Sequence, residues 1–580
     1  MGQFSLVSDQ TDFETLNDIF ENSTNRFSDR VAFRMKRGGE QYDEFTYRRF
    51  RELSIAIARF LDDIGVRKGK MVGLISENRP EWPIIYFAIL RTGATVVPMD
   101  ALLGEAEIMH IIRDSGLQVL FCSAAQFDKV SEVDHLLKDL KKLIVMDSIN
   151  VKNRKIILLD QVVAEGRKIK KDKPAKVKKD DTAALIYTSG TTGSSKGVML
   201  SHWNIASNVA GLRHMIYFDE NDVFLSVLPL HHTFECTAGM LIPVSKGCSI
   251  TTAESLASKR IIANIKETGV TLMMGVPLLY EKMVAGIFRG INEKPIPVRL
   301  LVHGLLGMVK GVKKLLRHNL GHKVFKSLRA KAGLGSLRIM ISGGAPLQAW
   351  VGQTFEHLGI SFLNGYGLTE TSPVLSVNVV NDIDNRTVGY PVHGIELAID
   401  QPDPSGVGEL KARGPFVMQG YYKNKKATQA ILRDGWLYTG DLARFDDKGR
   451  VIISGRCKNL IVTDGGKNVY PEEIELALNS STFIKETLVI GRPISKNNPG
   501  EEVVAYVVPD YETIEAAHGT KITDEEIEAL VRREVNRINE SFVSYKRIKE
   551  CFIREEEFPK TSTRKIKRYL FQGRDIHVRI

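Results

Sequence analysis

Through most of its length the chain alternates short β-branched runs with apolar or amphipathic stretches long enough for a helix. Met71–Ile75 reads as a strand, Glu81–Arg91 as a helix, Thr95–Met99 as a strand, Glu105–Asp114 as a helix and Val119–Cys122 as a strand. The alternation returns through Val223–Leu228, Gly239–Val244, Ser249–Thr252, Lys259–Glu267 and Val270–Gly275, and again through Leu337–Ile341, Gln348–His357 and Ile360–Leu363. Repeated strand–helix–strand units predict an α/β fold with mostly parallel sheets covered by helices, and ligands at the carboxyl ends of the strands. Beyond about Arg456 the short strands Thr487–Ile490 and Val503–Val508 precede a long helix, Asp524–Ile538, and a charged tail. A length of 580 residues exceeds what one core fills. We therefore expect a large N-terminal domain, 1–456, and a small α+β C-terminal domain, 457–580.

The five cysteines are scattered and lack C-x-x-C pairing, which disfavours a disulfide framework or zinc site and suits a reducing, cytoplasmic compartment. No basic leader with an apolar core opens the chain, and Leu6 stands where a myristoylation signal after Gly2 would need Ser or Thr. No run reaches the ~18 apolar residues of a membrane helix. The net charge of +11 is local: residues 289–338 hold twelve Lys or Arg against the single acid Glu293. Within them Leu301, Leu305, Met308, Val309, Val312, Leu315, Leu316 and Leu320 recur at helical spacing, with Lys310, Lys313, Lys314 and Arg317 between them. Two readings stand: a basic helix lying on an anionic membrane surface, or a surface helix packing its leucines on the core. The lysine-rich run Arg167–Lys179 lacks interleaved aromatics, so it reads as a solvated linker, and nucleic acid is not an expected partner.

Candidate chemistry gathers in three loops. Tyr187-Thr-Ser-Gly-Thr-Thr-Gly-Ser-Ser-Lys-Gly197 lies between two apolar runs, and its glycines, hydroxyls and Lys196 suit a phosphate group. It is not a Walker A loop, because Val198-Met-Leu200 after the lysine reads as a strand. Strand, loop, strand is the expected shape, against a plain Gly/Ser linker as the alternative. Ile341-Ser-Gly-Gly-Ala-Pro-Leu347 follows a strand, and its Pro346 suits the first turn of a helix. Asn364-Gly-Tyr-Gly-Leu-Thr-Glu-Thr371 offers an aromatic face, a hydroxyl and a carboxylate, the parts needed to stack a purine, bond a phosphate and hold Mg²⁺. Glu370 also suits a helix N-terminus.

Together with Leu228-Pro-Leu-His-His232, Tyr438-Thr-Gly-Asp441, Gly455-Arg-Cys-Lys-Asn-Leu-Ile461 and Val469-Tyr-Pro-Glu-Glu-Ile-Glu475, these loops form an ordered series over about 380 residues. The chain thereby resembles the adenylate-forming superfamily of acyl-CoA synthetases, firefly luciferase and peptide-synthetase adenylation domains. The resemblance implies that Thr188, Ser189, Gly190, Thr191, Thr192, Gly193 and Lys196 orient the β- and γ-phosphates of ATP. It places the purine against Gly343, Gly344, Ala345 and Tyr366, with Gly367 in the same nucleotide-binding set. Thr369 would contact the α-phosphate, Glu370 the Mg²⁺ ion, and Asp441 and Arg456 the ribose hydroxyls. His232 matches the histidine near the acyl pocket, with a core histidine as the alternative. In the family a carboxylate attacks the α-phosphorus of ATP, giving acyl-AMP and pyrophosphate, and a thiol then displaces AMP.

The adenylation lysine of the family aligns with Lys565, where the usual Ser-Gly-Lys has become Thr563-Arg564-Lys565; Lys560 and Lys567 are the other lysines nearby. The small domain is expected to be mobile, turning between half-reactions about Lys458, with Gly465 and Gly466 in the loop lining the thiol tunnel. The basic insertion at 289–338 resembles the long-chain fatty acyl-CoA synthetase branch. Glu235 alone does not make the acidic pocket of an amino-acid adenylator. The expected partners are thus a fatty acid, ATP with Mg²⁺, and CoA, with peripheral contact at the inner face of an anionic membrane and self-association into a homodimer as further expectations. An acyl carrier protein as acceptor, and a non-catalytic fatty-acid-binding or scaffold role, are the alternatives.

Overall fold

A computed structural model of the chain describes residues 12–134, 140–150, 155–188, 195–316, 319–495, 498–519, 522–560 and 566–571. The chain divides into two compact units: residues up to Leu397 together with Ala412–Leu437, and Ala398–Lys411 together with the residues from Tyr438 onward.

Two sheets organise the first unit. The larger has nine strands, in the order Tyr390–Pro391, Val374–Val377, Ser361–Gly367, Ile339–Ser342, Leu272–Gly275, Val223–Ser226, Ser249–Thr252, Val31–Lys36 and Tyr42–Thr46. Its six central strands, from Ser361–Gly367 to Val31–Lys36, run parallel, and antiparallel strands close both edges. The second sheet has eight strands, with Thr95–Met99 between Met71–Ile75 and Thr182–Thr188, all parallel. Helices explain the sequence pattern. Strands covered on both faces read as unbroken apolar runs, and all five residues of Thr95–Met99 are buried. Helix Glu81–Arg91 is buried through ten of its eleven residues, so its composition is apolar all round.

The second unit is small and mixed. Strand Trp436–Phe445, in which the chain passes into this unit, pairs antiparallel with Val451–Arg456. Farther on, the hairpin Ile484–Ser495 with Asn498–Pro509 takes Glu550–Ile553 as a parallel third strand. Helix Asp524–Glu540 starts from a capping box, Thr523 with Glu526, and buries Ile527, Val531, Val535 and Ile538 at near-helical intervals. They share a core with Val489, Val503, Ala505 and Val507. The architecture is the α/β one, with mostly parallel sheets and a small α+β second unit, that the alternation of elements predicts.

The helix expected at Gly239–Val244 forms, and its first part, Glu235–Leu241, is π-helical. Three local expectations change. Pro346 precedes its helix, which begins at Ala349 with Gln348 as N-cap. Strand Ser361–Gly367 runs on through Tyr366 and Gly367, because both pair with Val374–Val377. Arg167 and Lys168 form the last turn of helix Leu159–Lys168, and the linker proper starts after them.

Candidate active site

The phosphate-type loop joins two antiparallel strands, Thr182–Thr188 and Lys196–Ser201, with Thr188 paired to Lys196 at its mouth. Ser189, Gly190, Thr191, Thr192 and Gly193 lie outside the described residues. The mouth is held tightly: Tyr187 donates to Asp114 at 2.6 Å, and a Cβ on Gly197 would stand 2.8 Å from Leu185. Any larger residue there would have to push the Leu185 methyl aside. On the other side of Lys196–Ser201 the two-residue strand Gly420–Tyr421 pairs with Met199 and Val198. It brings the ring of Tyr421 within 5.2 Å of the Lys196 ammonium.

Tyr421 also donates its hydroxyl to Glu370 Oε1 at 2.8 Å. Burial, reinforced by the neighbouring carboxylate, pushes this phenol well above its usual range, so it remains a donor. Glu370 lies in the 3₁₀ turn Thr369–Thr371, and its carbonyl accepts from Met418 N–H at 2.9 Å. Thr369 Oγ1 sits 3.4 Å from Thr233 Oγ1, which ties the turn to the segment carrying His232. Sequence reading passed over Tyr421. Its only local signal is the aromatic doublet Tyr421-Tyr422 after Gly420.

His232 Nδ1 accepts from Phe234 N–H at 3.3 Å, so a neutral imidazole carries its proton on Nε2. Next to it, His231 faces Asp100 across 3.5 Å; burial lowers the His231 pKa, and the carboxylate works against that. Gly343, Gly344 and Ala345 follow strand Ile339–Ser342, whose parallel neighbour Ser361–Gly367 carries Tyr366 and Gly367. Gly344 has φ +84° with open space where a Cβ would stand. Gly343 lies against Phe234, whose ring would be 3.1 Å from a Cβ there. These residues thus meet at the carboxyl ends of adjacent parallel strands, the expected place for a ligand.

Behind Phe234 is a small cavity of about 30 Å³, room for about one water molecule. Its wall is apolar: Phe234, Ala238 and Ile242 from the π-turn and the following helix face Phe224, Met274 and Val377 of the sheet. On the same turn Glu235 is wholly buried, and neither carboxyl oxygen makes a hydrogen bond of ordinary geometry. Burial pushes its pKa up to about 8, which the nearby Ser226 hydroxyl only partly offsets.

In the second unit Asp441 and Arg456 are directly paired across the hairpin, with Arg456 Nε 2.7 Å from Asp441 Oδ1. Lys458 follows in the turn Cys457–Asn459, and burial with the repulsion of Arg456 and Arg568 lowers its pKa. Gly465 and Gly466 form the exposed end of the ribbon Ile461–Val462 with Asn468–Val469, and Gly466 has φ +66°. Lys565 lies outside the described residues. Lys560 pairs with Glu486 and Glu557, each at 2.7 Å, which immobilises it.

Among the described residues no group of three His, Cys, Asp or Glu side chains could hold a metal ion. A nucleotide-borne Mg²⁺ needs no such group, since one carboxylate with phosphate oxygens and water completes its shell. Glu370, oriented by Tyr421, fits that requirement.

The sequence signature described as AMP-binding enzyme matches residues 20–422, and that described as AMP-binding enzyme C-terminal domain matches 473–565. The chain belongs to the AMP-binding enzyme family. It is an adenylate-forming enzyme. Among similar proteins, a long-chain-fatty-acid–CoA ligase of Salmonella typhimurium is 29% identical, covering 96% of this chain and 94% of the relative. A chloroplastic long-chain-fatty-acid–[acyl-carrier-protein] ligase of Arabidopsis thaliana is 27% identical, covering 83% and 75%. The crystal structure of ATP-bound MatB from Rhodopseudomonas palustris superposes with a TM-score of 0.75 at 25% identity, over 96% of this chain and 98% of that one.

Proposed function

We propose that this ligase activates a long-chain fatty acid to acyl-AMP and passes the acyl group to CoA. The observation that carries the reading is the apolar lining behind Phe234, where none of the lining side chains could bind a charged or polar tail. Burying a methylene against such a lining is worth about 0.8 kcal/mol, so an alkyl chain that opens it gains with each methylene while a polar tail gains nothing. The name of the Salmonella relative supports the same class.

In this reading the acid lies with its alkyl chain along that lining and its carboxylate near His232, facing the α-phosphate held at Thr369. Lys196 and the loop Thr188–Gly193 hold the outer phosphates, Gly343–Ala345, Tyr366 and Gly367 hold the purine, and Asp441 with Arg456 hold the ribose. Mg²⁺ bound at Glu370 would offset the negative charge that gathers between the carboxylate and the triphosphate. Lys565 adds a cation in the first half-reaction. The domain 457–580 then turns about Lys458 to bring Gly465 and Gly466 to the pantetheine arm. Peripheral contact with an anionic bilayer belongs to the same reading, since the substrate partitions into lipid.

Carboxylate-dependent exchange of labelled pyrophosphate into ATP, without CoA, tests it across acetate, octanoate, palmitate, benzoate and amino acids. Strongest exchange with palmitate is the expected result; exchange confined to short or aromatic acids overturns it. The name of the Arabidopsis relative favours a second reading, an acyl carrier protein as acceptor. Thioester formation with holo-carrier protein but not with CoA would select it.

A further inference from the structure

We propose that Arg568 is a positioning residue for adenylation: held by Glu475 and faced by Glu472, it fastens the chain just beyond Lys565 to the second unit and acts on the reaction through that lysine. This role rests on the adenylation function proposed above for Lys565. Both glutamates belong to the run 469–475, which the sequence marks as one of the ordered motifs and which the nucleotide and acyl sites leave without a task.

The run forms the end of strand Asn468–Val469 and the start of helix Pro471–Leu478, where Glu472 and Glu475, three positions apart, share a face. Nearby, strand Ile484–Ser495 is an edge of its three-stranded sheet, so its outward N–H and C=O groups need partners other than a strand. At Val489 two side chains supply them. The N–H donates to Glu475 Oε1 at 2.6 Å, and the carbonyl accepts from Arg568 Nη1 at 2.9 Å. Arg568 Nη2 closes the ring by donating to Glu475 Oε2, and it lies 4.0 Å from Glu472 Oε1. The Arg568 side chain is 18% exposed and that of Glu475 12%, so little water competes for these bonds. A guanidinium holds its donors in a fixed fork and serves a carboxylate and a carbonyl at once, which a lysine ammonium does not reproduce.

The tail does not depend on this clasp to fold. Phe571 is buried against Phe558, with ring centroids 5.4 Å apart, in a cluster with Leu488, Val504 and Tyr506. Upstream, Lys560 is fixed by Glu486 and Glu557 and its backbone pairs with Ile566, while Lys567 N–H donates to Pro559 at 2.8 Å. Apolar contact at Phe571 is non-directional and places the tail only broadly. The directional bonds of Arg568 fix it closely, three residues beyond Lys565. Glu472 also accepts from Asn459 Nδ2 at 2.6 Å, in the turn that carries Lys458. One helix is thus the common reference for the proposed pivot and for the chain next to the proposed adenylation lysine.

Separate assays of the two half-reactions test this role. In Arg568→Met, pyrophosphate exchange with palmitate should fall by about 10–10², the cost of misplacing a catalytic group by roughly 1 Å. Thioester formation from supplied palmitoyl-AMP and CoA should stay within threefold. Arg568→Lys keeps the charge without the fork and should recover only part of the exchange. Because Arg568→Met leaves Glu475 buried without its cation, Arg568→Met with Glu475→Gln serves as a second variant. The amide still accepts from Val489, and exchange should remain low in a protein whose thermal melt matches wild type. Added to Lys565→Ala, Arg568→Met should cost less than about twofold further, since residues acting as a unit are not additive. Equal loss of both half-reactions, exchange within threefold of wild type in the folded variants, or losses that multiply in the Lys565→Ala background overturn the proposal. Wild-type exchange by Lys565→Ala also overturns it, by removing the group through which Arg568 acts. Wild-type protein that exchanges with another acid but not palmitate refutes the fatty-acid reading alone, and the same variants, assayed with that acid and its adenylate, decide the role of Arg568.

Discussion

The turn Thr369–Thr371 and the π-turn Glu235–Leu241 each present a glutamate in the first unit, and the fold treats the two in opposite ways. Glu370 is partly exposed, receives the Tyr421 hydroxyl at 2.8 Å and has its backbone carbonyl tied to Met418. Glu235 is fully buried without a cation, and its pKa rises to about 8. The first carboxylate is oriented by a donor and left open to a ligand; the second is neutral near pH 7 because ionising it in an apolar surround costs too much. An open, oriented carboxylate thus stands where a cation and phosphates are proposed to sit. Charge is suppressed along the wall where an alkyl chain is proposed to lie.

If the contrast is functional, the largest effect belongs to the open carboxylate. Glu370→Ala should lower pyrophosphate exchange by about 10²–10³, the usual consequence of removing a group that stabilises transition-state charge. Activity within threefold of wild type would refute its role. The apolar wall is tested next by Ala238→Leu, whose three extra carbons take up the space beside Phe234. Excluding about three methylenes at ~0.8 kcal/mol each predicts a loss of roughly fiftyfold for palmitate relative to octanoate. An unchanged ratio of the two acids would place the alkyl chain elsewhere.

Both regions were unequally legible in the sequence, for physical reasons. Parallel strands covered on both faces must be apolar throughout, so Met71–Ile75, Thr95–Met99 and Val119–Cys122 could be read to the residue. Gly343–Ala345 and Glu370 stand in short motifs next to such strands, which made them visible as candidates. Tyr421 was not visible, because a two-residue strand carries no periodicity and its partner Glu370 is fifty-one positions away. Lys313 misled for the same reason: helical spacing groups it with Lys310, while Glu356, which captures it, is forty-three residues on. The π-turn has no periodic signature that separates it from an α-helix, so the isolation of Glu235 emerges only in three dimensions.

The support for the open carboxylate can be weakened by a single atom. Tyr421→Phe keeps the ring against Lys196 and deletes the bond to Glu370, a charge-assisted hydrogen bond worth roughly 1.5–3 kcal/mol. We expect about a tenfold loss of exchange, with the Mg²⁺ concentration for half-activity raised, and weaker binding of Mn²⁺ with ATP in a titration without acid. A fall in turnover with unaltered metal dependence would make Tyr421 a packing residue only.

The smallest effect tests the buried carboxyl, and its sign is distinctive. Between the ordinary carboxyl pKa of 4.5 and about 8, the unfolded chain has Glu235 ionised while the folded protein keeps it protonated. The folded state then binds more protons, so stability falls as pH rises through this window and levels off above it. Glu235→Gln cannot ionise, and an uncharged isostere avoids that cost without opening a cavity. Its melting temperature should therefore gain on that of wild type as pH rises from 5 to 8.5, by an amount reflecting at most a few kcal/mol. Octanoate exchange at neutral pH should stay within twofold. A stability difference that is flat with pH would show that Glu235 is already ionised in the folded protein, held by a partner. The contrast with Glu370 would then be one of location and not of charge.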